Sequence, residues 1–358
     1  MKIKSIKVQK FNIELKESLK IALGVLDKSP NVLVEIETDN GITGIGEAAF
    51  TSFVLGDIQE AQLSAVENYL KPALIGEDPR DIERLEAKMD NVLKGNTGAK
   101  AAVDTALYDI LGKIYQVPLY KLLGGYKNYY ESDITIGIDE PEHMGQKARK
   151  YADEGYSVLK IKVGTDYKKD IERIKKIRES IGYDIKLRLD ANQGWNHKEA
   201  IYVINKLSEY DIELVEQPVP SDDIDGLAFI RRNVSVPIMA DESVLSPQNA
   251  LRLIKAEAVD LINIKLAKSG GLFKAKKICD IAEAAGIQCM IGCMLESKIA
   301  ITAAAHLAAA CKNITRVDLD SPLYIKGEPV VGGVTPKAGK IYLSDEPGLG
   351  IGEVKLNF

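Results

Sequence analysis

The sequence predicts an α/β protein in which an α+β domain precedes a parallel barrel of eight strands. One observation is the nearly regular spacing of charged residues from residue 160 onwards: Lys160 and Lys162, Asp190, Glu216, Asp241 and Lys265. The three acids end short apolar runs and lie 26 and 25 residues apart. This period fits one strand, one loop and one helix, which indicates a βα repeat with a functional residue at each strand end. A second observation is a change near residue 125, after which strand-like and helical stretches alternate.

The first 125 residues have the pattern of an α+β domain. Three strands are predicted first, and three helices follow them. The strands are 2–15, 31–38 and 42–49, and the helices are 57–71, 79–93 and 98–115. We expect the domain to close at the Leu-Leu-Gly-Gly sequence of residues 122–125.

Eight strand-like runs follow, with helical stretches between them. They are residues 134–138, 158–163, 186–192, 214–217, 237–243, 261–267, 288–294 and 315–320. Strands that alternate with helices in this way predict a parallel barrel, whose active site lies at the C-terminal ends of the strands. Residues 322–358 are rich in Gly and Pro, and we expect them to pack back against the N-terminal domain. The predicted boundaries are therefore 1–125, 126–321 and 322–358.

Composition points to an enzyme that acts on a small molecule. The formal charge of -5 comes from well mixed acids and bases, so nothing suggests a nucleic-acid surface. No apolar run has the length needed to cross a bilayer, and the first residues alternate like a strand and do not resemble a signal peptide. The four cysteines lack a paired C-x-x-C spacing, which suits a reducing cytoplasm.

The alternation of side chains along the predicted strands turns the charged residues towards the barrel interior. One face of three strands is apolar and must meet the helices. The opposite faces carry Lys160 and Lys162, then Arg188, Asp190 and Asn192, then Asn263 and Lys265. Charges in such positions are costly to desolvate unless they are paired or bind a metal.

Two interpretations of these charges remain open at this point. The simpler one is a charged network that fills the barrel mouth. The functional one is a metal site, because three carboxylates without His or Cys select a hard divalent cation such as Mg²⁺, with Mn²⁺ as a substitute. Lysines on both sides of the metal, with lowered pKa values, suggest proton abstraction next to a carboxylate. One lysine would remove the α-proton from one face of a metal-stabilised enediolate and the other would return a proton to the opposite face.

These residues resemble the enolase superfamily, in its muconate-lactonizing-enzyme subgroup. The matching motifs are K-x-K at Lys160 and Lys162, D-A-N from Asp190, E-Q-P from Glu216, A-D-E-S around Asp241, and Lys265 followed by S-G-G. The resemblance implies a (β/α)7β barrel under an α+β cap that the C-terminal segment completes. It also implies Mg²⁺ on Asp190, Glu216 and Asp241. Lys162 and Lys265 would be the acid/base pair, and Lys160 would assist them.

Within this subgroup, the D-x-D of Asp318 and Asp320 resembles that of dipeptide epimerases. The two carboxylates project from one face of an extended segment and can bind the ammonium of a dipeptide. The resemblance further implies substrate contacts from Thr135, Cys293 and Met294, and a homo-oligomer. A related subgroup uses a histidine base, but none of the three histidines lies at a matching strand end.

The substrate's C-terminal residue is predicted to be hydrophobic. Epimerases for Ala-Glu, as the family is described, place an arginine in the loop between the first two strands, where this sequence has Gly24. The loop of residues 21–26 is apolar, and Phe50, Phe53, Val54 and Leu55 of a second loop add to it. These residues either bind a hydrophobic side chain or pack the cap onto the barrel.

Several alternative functions remain. Within the subgroup they are an N-acylamino acid racemase, an o-succinylbenzoate synthase or a cycloisomerase, none of which needs the D-x-D. A Schiff-base aldolase would use Lys162 or Lys265 as a nucleophile and would leave the three carboxylates unexplained. A metal-stabilised binding protein without turnover would leave the lysines unexplained.

Overall fold

The computed structural model describes residues 1–49, 52 and 54–355. An antiparallel sheet of three strands opens the chain: β1 (Ile3–Ile21), β2 (Gly24–Thr38) and β3 (Thr43–Ala48). Helices pack on one face of it: α1 (Gln59–Ala65), a π-helical turn (Val66–Leu70), α2 (Lys71–Leu74), α3 (Ile82–Val92), α4 (Thr97–Tyr115) and α5 (Leu119–Leu123). Together they form the predicted α+β cap.

The first two strands are longer than the sequence predicted. β1 continues to Ile21 and β2 begins at Gly24, so the expected apolar loop of residues 21–26 is the tip of a hairpin with a two-residue turn. The prediction was wrong here because the polar residues between Glu14 and Leu19, where the strand pairing shifts register, interrupt the apolar alternation. The hairpin tip is half-buried, with Val25 exposed.

The cap core holds β3 and α4 unusually close together. A Cβ on Gly46 of β3 would overlap the carbonyl group of Ala102 in α4. Glycine at this position therefore allows the two backbones to touch. Valine and isoleucine side chains of β2 pack beside them with Leu107 and Ile110 of α4. The contact fixes the direction in which the neighbouring carboxylate of Glu47 points.

The predicted barrel is confirmed, with all eight strands in one parallel sheet. After a short strand β4 (Tyr129–Glu131), they are β5 (Ile134–Ile136), β6 (Val158–Lys162), β7 (Lys186–Asp190), β8 (Ile212–Glu216), β9 (Ile238–Ala240), β10 (Leu261–Ile264), β11 (Gln288–Ile291) and β12 (Ile314–Val317). Neighbours in the sheet follow chain order from β5 to β12. A parallel bridge between Ser132 and Val317 joins the two edge strands and closes the barrel.

Helices connect the barrel strands on the outside. They are α6 (Pro141–Asp153), α7 (Tyr167–Ile181), α8 (His197–Leu207), α9 (Ile224–Asn233), α10 (Pro247–Lys255), α11 (Leu266–Ser269), α12 (Leu272–Ala284) and α13 (Lys298–Ala310). Short 3₁₀ turns follow at Ser208–Tyr210 and Ser321–Leu323. None of the helices in the described residues has both the length and the apolar character needed to cross a bilayer.

In the described part of the chain, two large apolar clusters and a separate layer of four side chains form the core. The larger one surrounds the barrel strands and includes Trp195, the only tryptophan, which is buried and donates its indole N–H to Asp170 Oδ2 at 3.1 Å. The smaller one lies within the cap. Inside the barrel, below the charged mouth, a layer of four side chains comes from consecutive strands: Leu214, Met239, Leu261 and Met290.

The C-terminal segment contacts both the cap and the barrel. Its strands are β13 (Val330–Gly332), β14 (Lys340–Tyr342) and β15 (Ile351–Val354). β14 pairs with β4, and β13 pairs with β15. Leu349 N–H donates to Asp109 in α4, and Val334 N–H donates to Thr302 in α13. The predicted domain boundaries themselves stay a prediction.

Candidate active site

The ends of β6, β7 and β8 bring a lysine and two acids side by side. Lys162 pairs with Asp190, and Asp190 pairs with Glu216, in the register of the three parallel strands. Glu216 pairs in turn with Met239 of β9, so Asp241 lies just beyond the end of that strand. The sequence analysis included Asp241 and Lys265 within their strands, but both are the first residue after the strand end.

Lys160 is the cation on which acids from three strands converge. Its Nζ lies 3.0 Å from Asp190 Oδ2, 2.8 Å from Glu216 Oε2 and 2.7 Å from Asp318 Oδ2. The lysine is 2% exposed, and so large a charge can be buried only with such partners. Asp318 follows β12, at one edge of the sheet, whereas Lys160 lies on β6, near the other edge. Their contact confirms that the Lys160 side chain points into the barrel.

Lys162 and Lys265 lie on opposite sides of the barrel mouth, because β6 and β10 are separated by three strands in either direction around a barrel of eight. Lys162 Nζ is 2.7 Å from Asp190 Oδ2 and 3.0 Å from Asn192 Oδ1. Lys265 Nζ is 2.9 Å from Asp241 Oδ2. Each lysine therefore has its own acid as a partner.

Three polar side chains of the site were missed or left without a role by the sequence analysis. Lys268 is fully buried and donates to the carboxylate and the carbonyl oxygen of Asp241. Asn263 Nδ2 donates to Glu216 Oε1 at 2.6 Å, and Glu242 Oε1 accepts from Asn192 at 3.2 Å. The spacing of Lys265 and Lys268, one helical turn apart, was the available signal for Lys268.

Burial and neighbouring charges shift the pKa values of the site acids in different directions. Burial alone would raise the pKa of Asp190, but Lys162 and Lys160 outweigh it and lower the pKa to about 2. Burial and the neighbouring Asp190 raise the pKa of Glu216 to about 7. Burial and Asp241 raise the pKa of Glu242 to about 8, and its Oε2 lacks a hydrogen-bond partner among the described residues.

Burial alone would lower the pKa of Lys265, but Asp241 outweighs it and holds the pKa above its ordinary value. The sequence predicted a lowered lysine pKa. To lower the pKa of Lys265, further positive charge, such as a bound cation, would have to lie near these carboxylates.

The donor set of Asp190, Glu216 and Asp241 fits a hard divalent cation, because it consists of carboxylate oxygens alone. Burial and neighbouring carboxylates raise the pKa values of Glu216 and Glu242, and a cation there would stabilise their charged forms. The ligand atoms of the three acids do not all lie within 4.8 Å of one another in this structure. Lys160 is shared by Asp190 and Glu216, whereas Lys265 and Lys268 hold Asp241, so a bound cation would have to draw the three acids together.

A second group of ligand atoms is already gathered. In the described part of the chain, Cys293, Asp318 and Asp320 offer atoms within 4.8 Å of one another. Asp320 Oδ2 accepts from Thr135 N–H at 2.7 Å and lies 2.9 Å from the Tyr324 hydroxyl, a residue the sequence analysis did not single out. Burial and Asp318 raise the pKa of Asp320 to about 6. The D-x-D thus forms a compact acidic cluster, in which Asp318 is also paired with Lys160.

One cavity with a volume of about 850 Å³, partly open to solvent, is lined by many of these groups, including Asp241 and Glu242. Asp190, Glu216, Asn263 and Lys268 are not among its described lining residues. Its floor is charged and comes from the barrel: Lys160, Lys162, Lys265, Asp318 and Asp320. Its roof is mostly apolar and comes from the cap: Leu19, Ile21, Leu23, Leu26 and Val54, together with Ser29 and Ser52. Thr135, Cys293 and Met294 also line it, as expected from the resemblance. Leu55 and Gly24 are not among the described lining residues, and Phe50 and Phe53 lie outside the described residues.

The histidines are not part of this cavity. His143, His197 and His306 lie on α6, α8 and α13, as the sequence suggested. His306 is buried and accepts from the backbone N–H of Tyr120. The carboxylates and lysines are therefore the groups available for proton transfer, together with Cys293.

Comparison with known proteins agrees with this architecture. Residues 3–124 match the family model described as mandelate racemase / muconate lactonizing enzyme, N-terminal domain. Residues 143–353 match the model described as enolase C-terminal domain-like. These two models together cover the cap, the barrel after its first strand β5, and most of the C-terminal segment.

Individual relatives match over nearly the whole chain. A hydrophobic dipeptide epimerase from Enterococcus faecalis is 50% identical over 98% of this chain and 99% of its own length. An L-Ala-D/L-Glu epimerase from Clostridium acetobutylicum is 49% identical with the same coverage. A crystal structure of a dipeptide epimerase from E. faecalis, complexed with Mg and L-Leu-L-Tyr, has a TM-score of 0.97 at 49% identity, covering 99% of this chain and 100% of that one. The chain therefore belongs to the enolase superfamily, in the family of mandelate racemase and muconate lactonizing enzyme.

Proposed function

We propose that this protein is a Mg²⁺-dependent dipeptide epimerase that inverts the α-carbon of the C-terminal residue of an L,L-dipeptide. The observation that carries the proposal is the position of Lys162 and Lys265 on opposite sides of one cavity. Two bases that face each other across a substrate allow a proton to leave from one face and return to the other. The relatives' names support the same reaction.

In the proposed reaction one lysine removes the α-proton and the other donates a proton to the opposite face. The lysine that acts as base must be neutral. Asp190, Glu216 and Asp241 are the residues that would hold the metal, and Mn²⁺ is a possible substitute. When bound, the cation would act as a Lewis acid for the substrate carboxylate and would offset the negative charge that raises the pKa of Lys265. Mg in the complex of the Enterococcus enzyme supports this assignment.

The acidic cluster of Asp318 and Asp320 would bind the ammonium of the dipeptide. Both carboxylates are nearly fully buried and line the cavity, where an ammonium can form charge-assisted hydrogen bonds with them. N-acylamino acids and succinylbenzoate lack this ammonium, so the cluster favours a dipeptide over those substrates. A Schiff-base aldolase would again leave the three inward carboxylates without a role.

The apolar roof supports a hydrophobic C-terminal residue in the substrate. Among the described residues, the cap contributes no charged side chain to the cavity lining. A glutamate side chain of the substrate would therefore meet leucine, isoleucine and valine side chains instead of a cation. The relatives include enzymes named for both kinds of substrate, so the roof is the basis for the choice. We also expect a homo-oligomer, as the family resemblance implies, which sedimentation can test.

The test is α-proton exchange in D₂O with Mg²⁺ over pooled L,L-dipeptides, read by mass spectrometry as a gain of one mass unit. We expect uptake in dipeptides that end in Leu, Phe or Tyr, and loss of uptake with EDTA. Mg²⁺ or Mn²⁺ added after EDTA should restore it, because the chelator removes only the cation. A preference for Ala-Glu would overturn the hydrophobic assignment, and uptake only in N-acylamino acids would overturn the dipeptide assignment.

A further inference from the structure

Two buried carboxylates of the cap each reach the first turn of a barrel helix. Glu47 lies at the end of β3 and Asp104 lies in α4, and each is almost completely inaccessible to solvent. Neither residue lines the substrate cavity, among the described residues, and neither has a part in the proposed proton transfer. The helices that they contact, α12 and α13, follow the sixth and seventh barrel strands.

Glu47 holds the start of α13 and the segment before it. Its carboxylate accepts from Ser297 N–H at 2.9 Å, from the Ser297 hydroxyl at 2.6 Å and from Ala300 N–H at 3.3 Å. Asn31 Nδ2 donates to Glu47 at 2.7 Å and to the carbonyl oxygen of Leu295 at 2.9 Å. The residues just before Ser297, including Met294 and Leu295, line the cavity. The cap therefore fixes this wall of the cavity from behind.

Asp104 holds the turn that begins at Lys265. Its carboxylate accepts from the backbone N–H of Leu272, the first residue of α12. A free N–H at a helix start favours an anionic acceptor in this position. Gly271 has a φ of +113°, and a Cβ there would overlap the Asp104 carboxylate. Only a glycine leaves room for this contact.

The turn between Lys265 and Leu272 is short and internally bonded, so a displacement at one end reaches the other. Ser269 donates to the carbonyl oxygen of Lys265 with its N–H at 3.1 Å and with its hydroxyl at 2.9 Å. Gly271 N–H donates to Leu266 at 3.0 Å. The anchor at Leu272 thus controls where the Lys265 side chain begins.

We propose that Asp104 and Glu47 are positioning residues with separate tasks: Asp104 sets the place of Lys265, and Glu47 sets the place of the Met294–Leu295 wall. The inference rests on the proposed function for its kinetic consequences. Its structural consequence, that each carboxylate fixes only its own segment, holds for any reaction of this site. The cap would then influence the rate through one contact and substrate binding through the other.

Alanine variants at three buried cap acids separate these tasks. Asp104→Ala and Glu47→Ala remove the two anchors. Asp109→Ala is the matched control, because Asp109 is equally buried in α4 but bonds to Ile45, Lys113 and Leu349 and to no barrel helix among the described residues. All three substitutions remove a buried acceptor, so a general loss of cap stability should affect them alike.

The first readout is amide hydrogen exchange by mass spectrometry, which needs no substrate. We expect Asp104→Ala to speed exchange in the segment 268–272 and Glu47→Ala to speed exchange in 295–300, each without the other. Asp109→Ala should change neither. If either variant speeds amide exchange in both segments, the two carboxylates do not fix separate segments and the proposal is overturned.

The second readout is the rate of deuterium uptake by each epimer of a hydrophobic dipeptide. Displacing Lys265 should slow uptake by one epimer on the order of 10- to 100-fold, because small misplacements of a base are costly, and should leave KM within about threefold. Glu47→Ala should raise KM for both epimers alike. Equal slowing of both epimers in Asp104→Ala would overturn the proposal. No uptake by the unmodified protein would instead refute the proposed function, and hydrogen exchange would still decide the positioning.

Conservative variants guard against failure to fold. Asp104→Asn keeps an oxygen that accepts from Leu272 N–H, and should restore the wild-type ratio between the two epimers. Should Asp104→Ala not fold, Asp104→Ser withdraws the acceptor while keeping a polar group, and should show the same unequal uptake. Wild-type behaviour of Asp104→Ser together with wild-type exchange in 268–272 would rule out the anchor.

Discussion

The floor and the roof of the cavity are built in different ways. Floor side chains are buried charges at strand ends, each within 2.7 to 3.0 Å of a partner, such as Lys160 with Asp318 or Lys265 with Asp241. Roof side chains such as Leu23 and Leu26 are half-buried and lie on a hairpin tip. The floor's geometry comes from the register of the parallel barrel sheet, whereas most of the roof comes from the end of an antiparallel hairpin, in which Leu19 pairs with Leu26. If the proposed function holds, this difference means that proton transfer would depend on the barrel, and the choice of the substrate's C-terminal side chain would depend on the cap.

This comparison predicts that removal of one of the two lysine bases of the floor will have the largest effect on the rate of epimerisation. Lys162→Ala and Lys265→Ala should each lower epimerisation by roughly 10²- to 10⁴-fold, the usual contribution of a general base. Each variant should still exchange the α-proton of one epimer, because one base remains. Deuterium uptake measured separately for the two epimers checks this.

The matched control is Lys186→Ala, an exposed lysine at the opposite end of β7. It should leave both rates unchanged. Full epimerising activity in either of the two base variants would show that the two-base assignment is wrong.

A smaller effect is expected at the acidic cluster, which belongs to the floor and which we propose binds the substrate ammonium without taking part in proton transfer. Asp320→Asn should raise KM for dipeptides roughly 10- to 100-fold, because a hydrogen bond to a charged group contributes about 1.5–3 kcal/mol. KM for an N-acylamino acid, which has no ammonium, should change little. An equal rise for both substrates would mean that Asp320 supports the fold and not the ammonium.

The titration of Asp320 predicts that kcat/KM for dipeptides depends on pH. Burial and Asp318 raise the pKa of Asp320 to about 6, so the carboxyl gains a proton as the pH falls through that value. It then loses the charge that attracts the ammonium, and kcat/KM for dipeptides should fall below pH 6. Asp320→Asn should remove this part of the profile. If kcat/KM of the Asp320→Asn variant still falls below pH 6, the fall is caused by the titration of another group.

The smallest effect is expected at the roof, and it should depend on the substrate. Leu26→Ala should raise KM roughly tenfold for dipeptides that end in Leu or Tyr, because apolar contacts with the substrate are lost. Dipeptides that end in Ala should be affected less. Val25→Ala is the control, since Val25 lies on the same hairpin but is 59% exposed. Equal losses for all dipeptides would indicate that the roof only packs the cap onto the barrel.

The floor was predictable because its signals are local. The alternation of Lys160 and Lys162, or of Arg188 and Asp190, gives the inward face of a strand without any knowledge of its neighbours. The predicted strands that contain Asp241 and Lys265 end three residues too late. Charged residues continue the alternation there after the pairing with neighbouring strands has stopped.

The cap anchors were not predictable, because their partners are far away in sequence. Glu47 bonds to Ser297, 250 residues later, and Asp104 bonds to Leu272, 168 residues later. Nothing in the neighbourhood of either acid marks it as buried. The hairpin tip was missed for a different reason, since the polar residues between Glu14 and Leu19, where the strand pairing shifts register, interrupt the alternation and hide the continuation of β1.

Trp195 gives the two halves of the molecule different optical properties. It is the only tryptophan, and its ring is buried in the barrel's apolar cluster, while the cap has a cluster of its own. Tryptophan emission during denaturation therefore follows the melting of the barrel, and circular dichroism follows all helices and strands. If the cap came apart first, ellipticity would fall before the emission changed, so the chain contains an intrinsic probe for the order in which its two halves unfold.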